Sequence, residues 1–313
     1  MNSKPPTAAT QNPETTVFTL DDLQAWNFDG VSLAVLGHPV AHSISPAMHN
    51  AALAKMAEDE PRFKNWRYFK FDIPPGSLPR ALPLLHRHGF HGVNLTIPHK
   101  TDVLPLLEEI DPGARRMGAV NTLHRREQGY VGFNSDGYGL STAVTEELKV
   151  RLCEKPVVLL GAGGAARAAA VQCLAENCPE LWLGNRNPDR LAALLEDVIP
   201  YKSEKTRLES FPLNAIPEDF PHGALIINAT SVGLRPEDPS PIDLDRLGGD
   251  CAVYDMIYNP AETALIRAAR RRGLPAANGL SMLIHQGVRS LEIWSGATVP
   301  VEAMRRAAQP RAT

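Results

Sequence analysis

Glycines at a characteristic spacing follow a short apolar run near the middle of this 313-residue chain. Residues 157–160 read as a strand, and Gly161, Gly163 and Ala166 then occupy the positions of a G-x-G-x-x-G/A turn that leads into an alanine-rich helix. In such a turn the first glycine permits the sharp reversal, and the second lets a pyrophosphate approach the backbone. Because the amide groups and dipole of the following helix attract phosphates, this segment predicts a dinucleotide-binding site.

The strand that follows this helix indicates which dinucleotide is bound. Residues 180–184 form the expected strand, which leads into Asn185, Arg186 and, four residues later, Arg190. NAD-binding proteins usually carry an acidic residue at this strand end, whereas arginine accommodates the 2′-phosphate of NADP. The alternative to a phosphate site is that these arginines form a solvated basic turn. We interpret Asp189 as an acidic residue in the first turn of the next helix. We favour NADP as the cofactor.

Two serines in the front half of the chain are spaced to hold an anion. Ser43 and Ser45 lie between an expected strand and a helix, and in extended backbone their side chains would point the same way. Two hydroxyls beside a helix N-terminus suit a carboxylate. Taken alone, Ser45 followed by Pro46 is the usual pattern of an N-cap with proline at the first helical position. His38 and His42 are interpreted as loop-packing residues, because no further metal-ligand residue types lie nearby.

A second polar segment carries residues suited to proton transfer. Asn94 and Thr96 repeat the i, i+2 spacing, and their side chains, which both donate and accept hydrogen bonds, suit a substrate rich in hydroxyls. Lys100 follows closely, Asn121 lies at the head of another short strand, and Asp136 stands just before a helix, where an N-cap is the alternative role. A lysine held beside an aspartate could exchange a proton with a hydroxyl during hydride transfer.

Composition argues against several classes of function. With 43% hydrophobic and 21% charged residues and a formal net charge of −3, the chain resembles an ordinary globular enzyme without a basic excess for nucleic acids or anionic membranes. No apolar run reaches the ~18 residues that indicate a membrane span, and the first residues lack a signal-peptide pattern. The four cysteines show neither a CxxC pair nor zinc spacing, which favours reduced thiols, a cytoplasmic location and no metal site.

The elements that would position these residues alternate between strand and helix, which predicts an α/β fold with two domains and mainly parallel sheets. The expected strands cover residues 31–36, 66–71, 92–96, 120–123, 130–133, 157–160, 180–184, 225–228 and 252–254. The expected helices cover residues 45–58, 102–110, 138–149, 263–272, 280–294 and 301–308, and a further alanine-rich helix follows the glycine turn and extends to Ala175. The last two helices are expected to return to the first domain, which would then be discontinuous in sequence.

Three segments follow from this pattern. Residues 1–27 are predicted to be a disordered N-terminal tail. Residues 28–136 and 279–313 are predicted to form an α/β substrate-binding and catalytic domain. Residues 137–278 are predicted to form a Rossmann domain that binds NADP.

Nine short motifs occur in an order that is typical of one enzyme family. They are H-S-x-S-P at 42–46, N-x-T-x-P-x-K at 94–100, G-A-V-N-T at 118–122, G-x-N-S/T-D-G at 132–137, GAGGAARA at 161–168, N-R-x-x-x-R at 185–190, N-A-T-S-x-G at 228–233, Y-D-M-x-Y at 254–258 and N-G-L-x-M-L-x-x-Q at 278–286. The chain resembles the shikimate dehydrogenase (shikimate/quinate dehydrogenase) family over nearly all of residues 31–308. Ser135 and Ser281 depart from the family, since many members have threonine and glycine there, but neither touches a proposed catalytic role.

The resemblance implies a role for each matching residue. Lys100 and Asp136 would be the catalytic pair. The substrate would be held by Ser43, Ser45, Asn94, Thr96, Asn121, Tyr258 and Gln286. The cofactor would lie against Gly161, Ala162, Gly163, Gly164, Ala165, Asn185, Arg186, Arg190, Thr230, Met256, Gly279 and Met282. The implied reaction is the NADPH-dependent, reversible reduction of 3-dehydroshikimate to shikimate in chorismate and aromatic amino-acid biosynthesis.

Some of these residues have alternative structural roles. Met256 and Met282 could be ordinary core residues, Thr230 could form a loop turn, and Tyr258 could pack by its ring alone. The residues do not indicate an oligomeric state, and a homodimer is kept as a hypothesis.

Three rival activities are weighed against the implied one. The nearest is an NAD-dependent quinate/shikimate dehydrogenase of quinate catabolism, which is disfavoured by the arginine pair and by Ser45, where quinate-preferring relatives often carry threonine. A catalytically silent NADP-binding regulator on the same fold would be expected to lack Lys100 or Asp136, and both are present. A folate-handling NADP dehydrogenase also pairs a lysine domain with a nucleotide domain, but the two serines and the Asn/Thr set argue against it.

Overall fold

The computed structural model describes residues 11–247 and 249–309, and the chain divides into two compact units. The first unit comprises Met1–Ser135 and Gly287–Thr313, and the second comprises Asp136–Gln286. The predicted domain boundaries lie one residue later at the first division and eight residues earlier at the second. The second division falls inside a continuous helix, where no break in the sequence pattern marks it.

A seven-stranded sheet forms the centre of the first unit. Its strands are β1 (Phe18–Thr19), β2 (Val31–Gly37), β3 (Trp66–Asp72), β4 (Gly92–Leu95), β5 (Glu109–Ile110), β6 (Thr122–Arg126) and β7 (Gly129–Phe133). They are ordered β1-β3-β2-β4-β6-β7-β5, with β4–β6 and β6–β7 antiparallel and the other four pairs parallel. The prediction of a mainly parallel sheet is confirmed, and β6 and β7 form an antiparallel hairpin.

Five helices of the first unit connect these strands. They are α1 (Leu20–Gln24), α2 (Ser45–Asp59), α3 (Leu78–Arg87), α4 (His99–Asp102) and α5 (Pro112–Met117). The predicted helix over residues 102–110 is wrong: a 3₁₀ turn at Leu104–Leu106 and strand β5 follow α4. Pro105 has no N–H with which to continue the hydrogen-bond pattern of α4, and this ends the helix.

The predicted disorder of residues 1–27 is wrong for the segment that contains β1 and α1, while residues 1–10 lie outside the described residues. Phe18, Leu23 and Trp26 are buried, and the ring of Trp26 lies 4.8 Å from that of Phe69 in an edge-to-face contact. Strand β1 also pairs with β3. These partners are about fifty residues away in sequence, so local composition does not reveal them.

The second unit is built on a six-stranded parallel sheet. Its strands are β8 (Val157–Leu160), β9 (Glu180–Asn185), β10 (Arg207–Pro212), β11 (Leu225–Asn228), β12 (Ala252–Asp255) and β13 (Ala276–Asn278). The order across the sheet is β10-β9-β8-β11-β12-β13, and all five pairs are parallel. Counted within the unit this is 3-2-1-4-5-6, the order of the Rossmann fold, and the predicted fold class is confirmed.

The remaining helices complete the chain. They are α6 (Asp136–Leu148), α7 (Gly164–Ala175), α8 (Pro188–Val198), α9 (Ala264–Arg271), α10 (Leu280–Ser295) and α11 (Val301–Ala308). Helix α11 packs against α2, so the chain end returns to the first unit as expected. Within the described part of the chain, no helix has the length and apolar character needed to cross a membrane.

Candidate active site

The glycine turn lies at the topological switch point of the second sheet. Strand β8 ends at Leu160 and lies between β9 and β11. The next strands along the chain, β9 and β10, lie on one side of β8, whereas β11, β12 and β13 lie on the other side. Helix α7 begins at Gly164, and Gly163 is its N-cap. Gly161 has φ of +119°, and a Cβ built on it would lie 3.0 Å from the carbonyl oxygen of Ala229 and 3.2 Å from a methyl of Thr230. Both its conformation and its surroundings require glycine, as the turn motif predicts.

Protein packing does not explain the next two glycines. A Cβ built on Gly163 or Gly164 has no atom of another described part of the protein within 4 Å, apart from its chain neighbours and its own helix backbone, and both glycines are exposed together with Ala165. Ala162 is half-buried, whereas Ala166 is fully buried against the sheet side of α7. An open glycine backbone at a helix N-terminus fits the pyrophosphate that the motif predicts.

Two exposed arginines follow β9 on a well-formed helix start. The side chain of Asn187 is the N-cap of α8 and accepts a hydrogen bond from the Arg190 amide at 2.9 Å, while Asn185 donates to the Asn187 carbonyl at 2.9 Å. Asp189 lies in the first turn of α8, as the sequence indicates. Neither Arg186 nor Arg190 forms an ion pair with any described residue. Their guanidinium groups are therefore available to a phosphate.

The loops after β11 and β12 are held by a buried aspartate. Asp255 accepts hydrogen bonds from Thr263 Oγ1 at 2.6 Å, Asn228 Nδ2 at 3.0 Å and the Ile257 amide at 3.1 Å. Burial raises the pKa of Asp255, and these hydrogen bonds oppose the rise. Thr230 donates its hydroxyl to Asn228 Oδ1 at 2.7 Å, so it has the loop-turn role that the sequence left open.

Residue 279 must be a glycine, because the backbone of Met256 lies too close to leave room for a side chain. A Cβ built on Gly279 would overlap the Met256 carbonyl oxygen, and the Gly279 amide donates to the Ile257 carbonyl at 3.1 Å. Met256 and Met282 are half-buried rather than core residues. Tyr258 is also half-buried, and burial raises the pKa of its hydroxyl.

Helices α6 and α10 cross closely within the second unit. Asp136 is the first residue of α6 rather than a residue before it, and Gly139 lies one turn later. A Cβ on Gly139 would lie 2.8 Å from the Met282 carbonyl oxygen and 3.0 Å from the Gln286 amide nitrogen. The glycine thus brings the start of α6 against the part of α10 that carries Gln286.

In the first unit, the two serines occupy the entrance to α2. The amide of Ser43 donates to the Val40 carbonyl at 3.0 Å and closes a turn, and the amide of Ser45 donates to Ser43 Oγ at 3.3 Å. The N-cap of α2 is Ile44 and Ser45 is the first helical residue, so the N-cap role considered for Ser45 is wrong. The Ser45 hydroxyl forms no hydrogen bond with the described residues and is not consumed by capping.

The two histidines of this segment differ in their contacts. His38 Nδ1 lies 2.6 Å from Asp72 Oδ1 at the end of β3, and His42 is exposed. Among the described residues no cluster of His, Cys, Asp and Glu is suited to a metal ion.

The loops that follow β2 and β4 meet at the same edge of the first sheet. The His38 amide donates to the Ile97 carbonyl at 3.0 Å, and the Thr96 amide donates to the Leu36 carbonyl at 2.9 Å. A Cβ on Gly37 would overlap the methyl of Thr96, so glycine at the end of β2 makes room for this threonine. Lys100, in α4, is half-buried just beyond.

A buried polar network lies beneath this edge. Asn94 accepts from the Tyr68 hydroxyl at 2.8 Å, and its Nδ2 lies 2.9 Å from the Asn121 carbonyl and 3.0 Å from Ser290 Oγ. Ser290 Oγ is also 2.8 Å from Thr122 Oγ1. The amide of Asn94 is thus engaged within the protein, and its direct contact with substrate stays a prediction.

Asn121 is oriented by the same network. Its Oδ1 accepts from the Ser135 amide at 2.8 Å and from Thr122 Oγ1 at 2.9 Å, and its Nδ2 donates to Ser135 Oγ at 3.0 Å. Tyr68, Thr122 and Ser290 hold these two asparagines and were not among the residues singled out from the sequence. Thr122 stands inside the G-A-V-N-T motif, but no sequence signal indicates the other two.

The site residues are distributed over both units. Lys100 belongs to the first unit and Asp136 is the first residue of the second, so their pairing stays a prediction. Ser43, Ser45, Asn94, Thr96 and Asn121 also belong to the first unit. Tyr258, Gln286 and every predicted cofactor residue belong to the second.

The chain matches known proteins over most of its length. Residues 35–123 match the family model of the shikimate dehydrogenase substrate binding domain, and residues 279–309 match that of the shikimate 5'-dehydrogenase C-terminal domain. A relative from Symbiobacterium thermophilum, called shikimate dehydrogenase (NADP(+)), is 41% identical over 89% of this chain and 94% of its own length. The chain belongs to the shikimate dehydrogenase family. The predicted resemblance is therefore confirmed.

Solved structures of family members share the fold. The shikimate 5-dehydrogenase of Thermus thermophilus, in complex with NADP(H) and shikimate, matches with a TM-score of 0.77 and 36% identity over 89% of this chain and 98% of that one. Quinate dehydrogenase from Corynebacterium glutamicum, in complex with NAD, matches with a TM-score of 0.78 and 29% identity over 89% and 98%. The fold is therefore shared by relatives whose substrates and cofactors differ.

Proposed function

We propose that this protein is an NADP-dependent shikimate dehydrogenase that reversibly reduces 3-dehydroshikimate to shikimate, in chorismate and aromatic amino-acid biosynthesis. One observation carries the proposal: the hydrogen bond from His38 to Ile97 joins the loops after β2 and β4, so the serine segment and the Thr96–Lys100 segment share one sheet edge. A carboxylate site and a proton-transfer lysine at one edge fit a small carboxylated polyol. The 41% identity to a shikimate dehydrogenase (NADP(+)) supports the same reading.

The side chains divide the work between binding and proton transfer. Ser43, Ser45 and Tyr258 hold the substrate carboxylate, and Thr96, Asn121 and Gln286 hold its ring hydroxyls, with Asn94 as a further predicted contact. NADPH supplies the hydride when it is bound. The Lys100 ammonium donates a proton to the developing alkoxide and stabilises its negative charge, and Asp136 is the second member of the proposed catalytic pair. In the oxidising direction the same lysine accepts the proton.

The second unit supports NADP as the cofactor. The open backbone of Gly163 and Gly164 receives the pyrophosphate, and Arg186 and Arg190 receive the 2′-phosphate. Thr230, Met256, Gly279 and Met282 line the ribose and nicotinamide side of the site in this proposal. The open positions of the glycines and the absence of an ion pair at either arginine, among the described residues, support it.

Quinate oxidation with NAD is the second candidate, because a quinate dehydrogenase with NAD has the same fold. The arginine pair after β9 favours NADP over NAD. The silent regulator is disfavoured because Lys100 and Asp136 are both present. The matching relatives, which are named shikimate dehydrogenases, favour this activity over folate handling.

We further propose that the enzyme acts in the cytoplasm, since Cys153, Cys173, Cys178 and Cys251 are all free thiols. The homodimer stays a prediction.

A single assay tests the proposed substrate and cofactor together. The purified protein is given saturating shikimate or quinate with NADP or NAD, and the reduced nicotinamide is followed by its absorbance. Strong activity with shikimate and NADP alone is the expected result. A preference for quinate with NAD would leave the family assignment intact but would refute both specificity arguments.

Lys100→Ala tests the proton-transfer role. We expect kcat to fall by about 10²–10⁴ while the KM for shikimate changes much less, because the lysine acts on charge that develops in the transition state. Near-normal turnover with poor substrate binding would show that the lysine only positions the substrate.

A further inference from the structure

Lys70 is a buried lysine on the second strand from one edge of the first sheet. It lies on β3 opposite Val35 of β2, and only 4% of its surface is exposed. Side chains alternate along a strand, so Lys70 shares a face with Tyr68 and Asp72. Lysine is almost never fully buried unless it is paired, and its position therefore calls for an explanation.

Lys70 lies beneath the entrance to α2. The ring of His49 stacks on Tyr68 with 4.0 Å between centroids, and the Asn50 side chain bonds both the amide and the carbonyl of Tyr68. Helix α2 runs back over β3, so two residues further along the strand correspond to the helix start near Ser45. The Lys70 ammonium confirms this placement, because it donates to the Ala41 carbonyl at 3.0 Å.

The contact with Ala41 connects Lys70 to the serine segment. Ala41 is the second residue of the turn that the Ser43–Val40 hydrogen bond closes, and it precedes Ser43 by two residues. Two residues span at most about 7 Å of chain. The ammonium thus contacts the backbone turn that leads into Ser43 and Ser45.

No described acidic residue forms an ion pair with Lys70. The acid that follows on the same face, Asp72, lies 2.6 Å from His38. Burial lowers the pKa of Lys70 from its ordinary value, the direction expected for an ammonium removed from water without a compensating anion. A free lysine has a pKa of ~10.4, so burial lowers the pKa of Lys70 from a starting value far above neutral pH.

We propose that Lys70 supplies the fixed positive charge of the substrate carboxylate subsite and so selects an anionic polyol over a neutral one. The serine hydroxyls can orient a carboxylate, but they are neutral and would also accept an ester or amide. The substrate anion compensates the buried ammonium only in the complex, which gives binding energy to the charged substrate alone. This inference rests on the proposed function, because the anion is the shikimate carboxylate.

The test compares Lys70→Met and Lys70→Arg with wild type, using shikimate and its methyl ester with NADP. Methionine keeps the unbranched stem without the charge, and arginine keeps the charge. For Lys70→Met we expect the KM for shikimate to rise about tenfold, or about 1.4 kcal/mol, with kcat within about twofold. The KM or inhibition constant of the methyl ester should stay unchanged, and Lys70→Arg should recover most of the shikimate affinity.

Three outcomes would contradict the inference in different ways. An equal loss for shikimate and its ester in Lys70→Met would mean that the lysine only holds the Ala41 turn. Unchanged kinetics with both compounds would mean that the charge does not reach the subsite. A wild-type protein that does not oxidise shikimate would refute the proposed function, and the inference would fall with it. If Lys70→Met does not fold, Lys70→Gln, which keeps a donor for Ala41, provides the same comparison.

Discussion

His49 couples the start of α2 to acid stability. It lies one turn after Ser45 with 0% of its surface exposed, and its Nδ1 donates to the Ser45 carbonyl at 2.9 Å. Burial lowers the pKa of His49 from 6.5 to about 4, because it outweighs the backbone groups of Ser45 and Gly287, which raise this pKa. The histidine is therefore neutral in the folded protein at pH values where it is protonated in the unfolded chain.

The sign of the effect follows from proton binding. Below pH 6.5 the unfolded state binds a proton at His49 that the folded state does not bind until about pH 4, so stability falls as the pH falls. Between the two pKa values, each unit of pH lowers the free energy of unfolding by about 1.36 kcal/mol. The loss is thus about 2 kcal/mol at about pH 5, one and a half units below the ordinary value, and about 3 kcal/mol near pH 4.

Urea unfolding at about pH 7.5 and about pH 5 measures this loss. His49→Asn removes the titrating ring, and the loss of free energy of unfolding between the two pH values should be smaller than in wild type by about 2 kcal/mol. The exposed His42→Asn is the matched control and should keep the wild-type loss. Tryptophan fluorescence reports mainly on the relevant unit, because three of the four tryptophans belong to it: Trp26, Trp66 and Trp294.

An equal pH-dependent loss in His49→Asn and wild type would refute the reasoning. Any constant cost of removing the buried ring cancels in this comparison. Other acid-sensitive groups also cancel, among them His124, whose pKa burial lowers to about 4.

Four further substitutions test separate parts of the structure. Arg186→Ala and Arg190→Ala should each raise the KM for NADP about tenfold and leave that for NAD within about twofold, since each removes a charge-assisted contact to the 2′-phosphate; equal rises would contradict this. Ser290→Ala should lower the free energy of unfolding by about 1–3 kcal/mol, because it leaves buried polar partners unsatisfied, and should raise the KM for shikimate more than that for NADP. Urea unfolding and steady-state kinetics would measure both effects, and a wild-type KM would exclude a positioning role. Gly279→Ala should lower stability by about 3 kcal/mol because its Cβ overlaps the Met256 carbonyl, and a wild-type thermal midpoint would be inconsistent with that overlap.

The nucleotide-binding unit was largely predictable because its signals are local. The strand, turn and helix around Gly161 are contiguous in sequence, and the arginines follow the next strand directly. Parallel strands buried on both faces read as continuous apolar runs, such as Val157–Leu160. Strands β10 and β13 escaped prediction, since Arg207–Pro212 is polar at the sheet edge and Ala276–Asn278 is only three residues long.

The first unit was less predictable because its order depends on distant partners. Helix α1 and strand β1 are too short to be stable alone and are held by aromatic rings of β3. The region around Pro105 has an apolar pattern that suggests a helix, but the proline and the pairing of β5 with β7 decide otherwise.

The sequence by itself determined the chemical inventory: two serines before a helix, a lysine and an aspartate, open glycines and an arginine pair. Only the tertiary structure decided which groups are already engaged. It leaves the Ser45 hydroxyl uncommitted, occupies the Asn94 amide through Tyr68 and Ser290, and buries Lys70 without an acidic partner among the described residues. The physical reason is that residue type and spacing specify what a side chain can donate or accept. Whether that capacity is satisfied depends on burial and on partners that are remote in the chain.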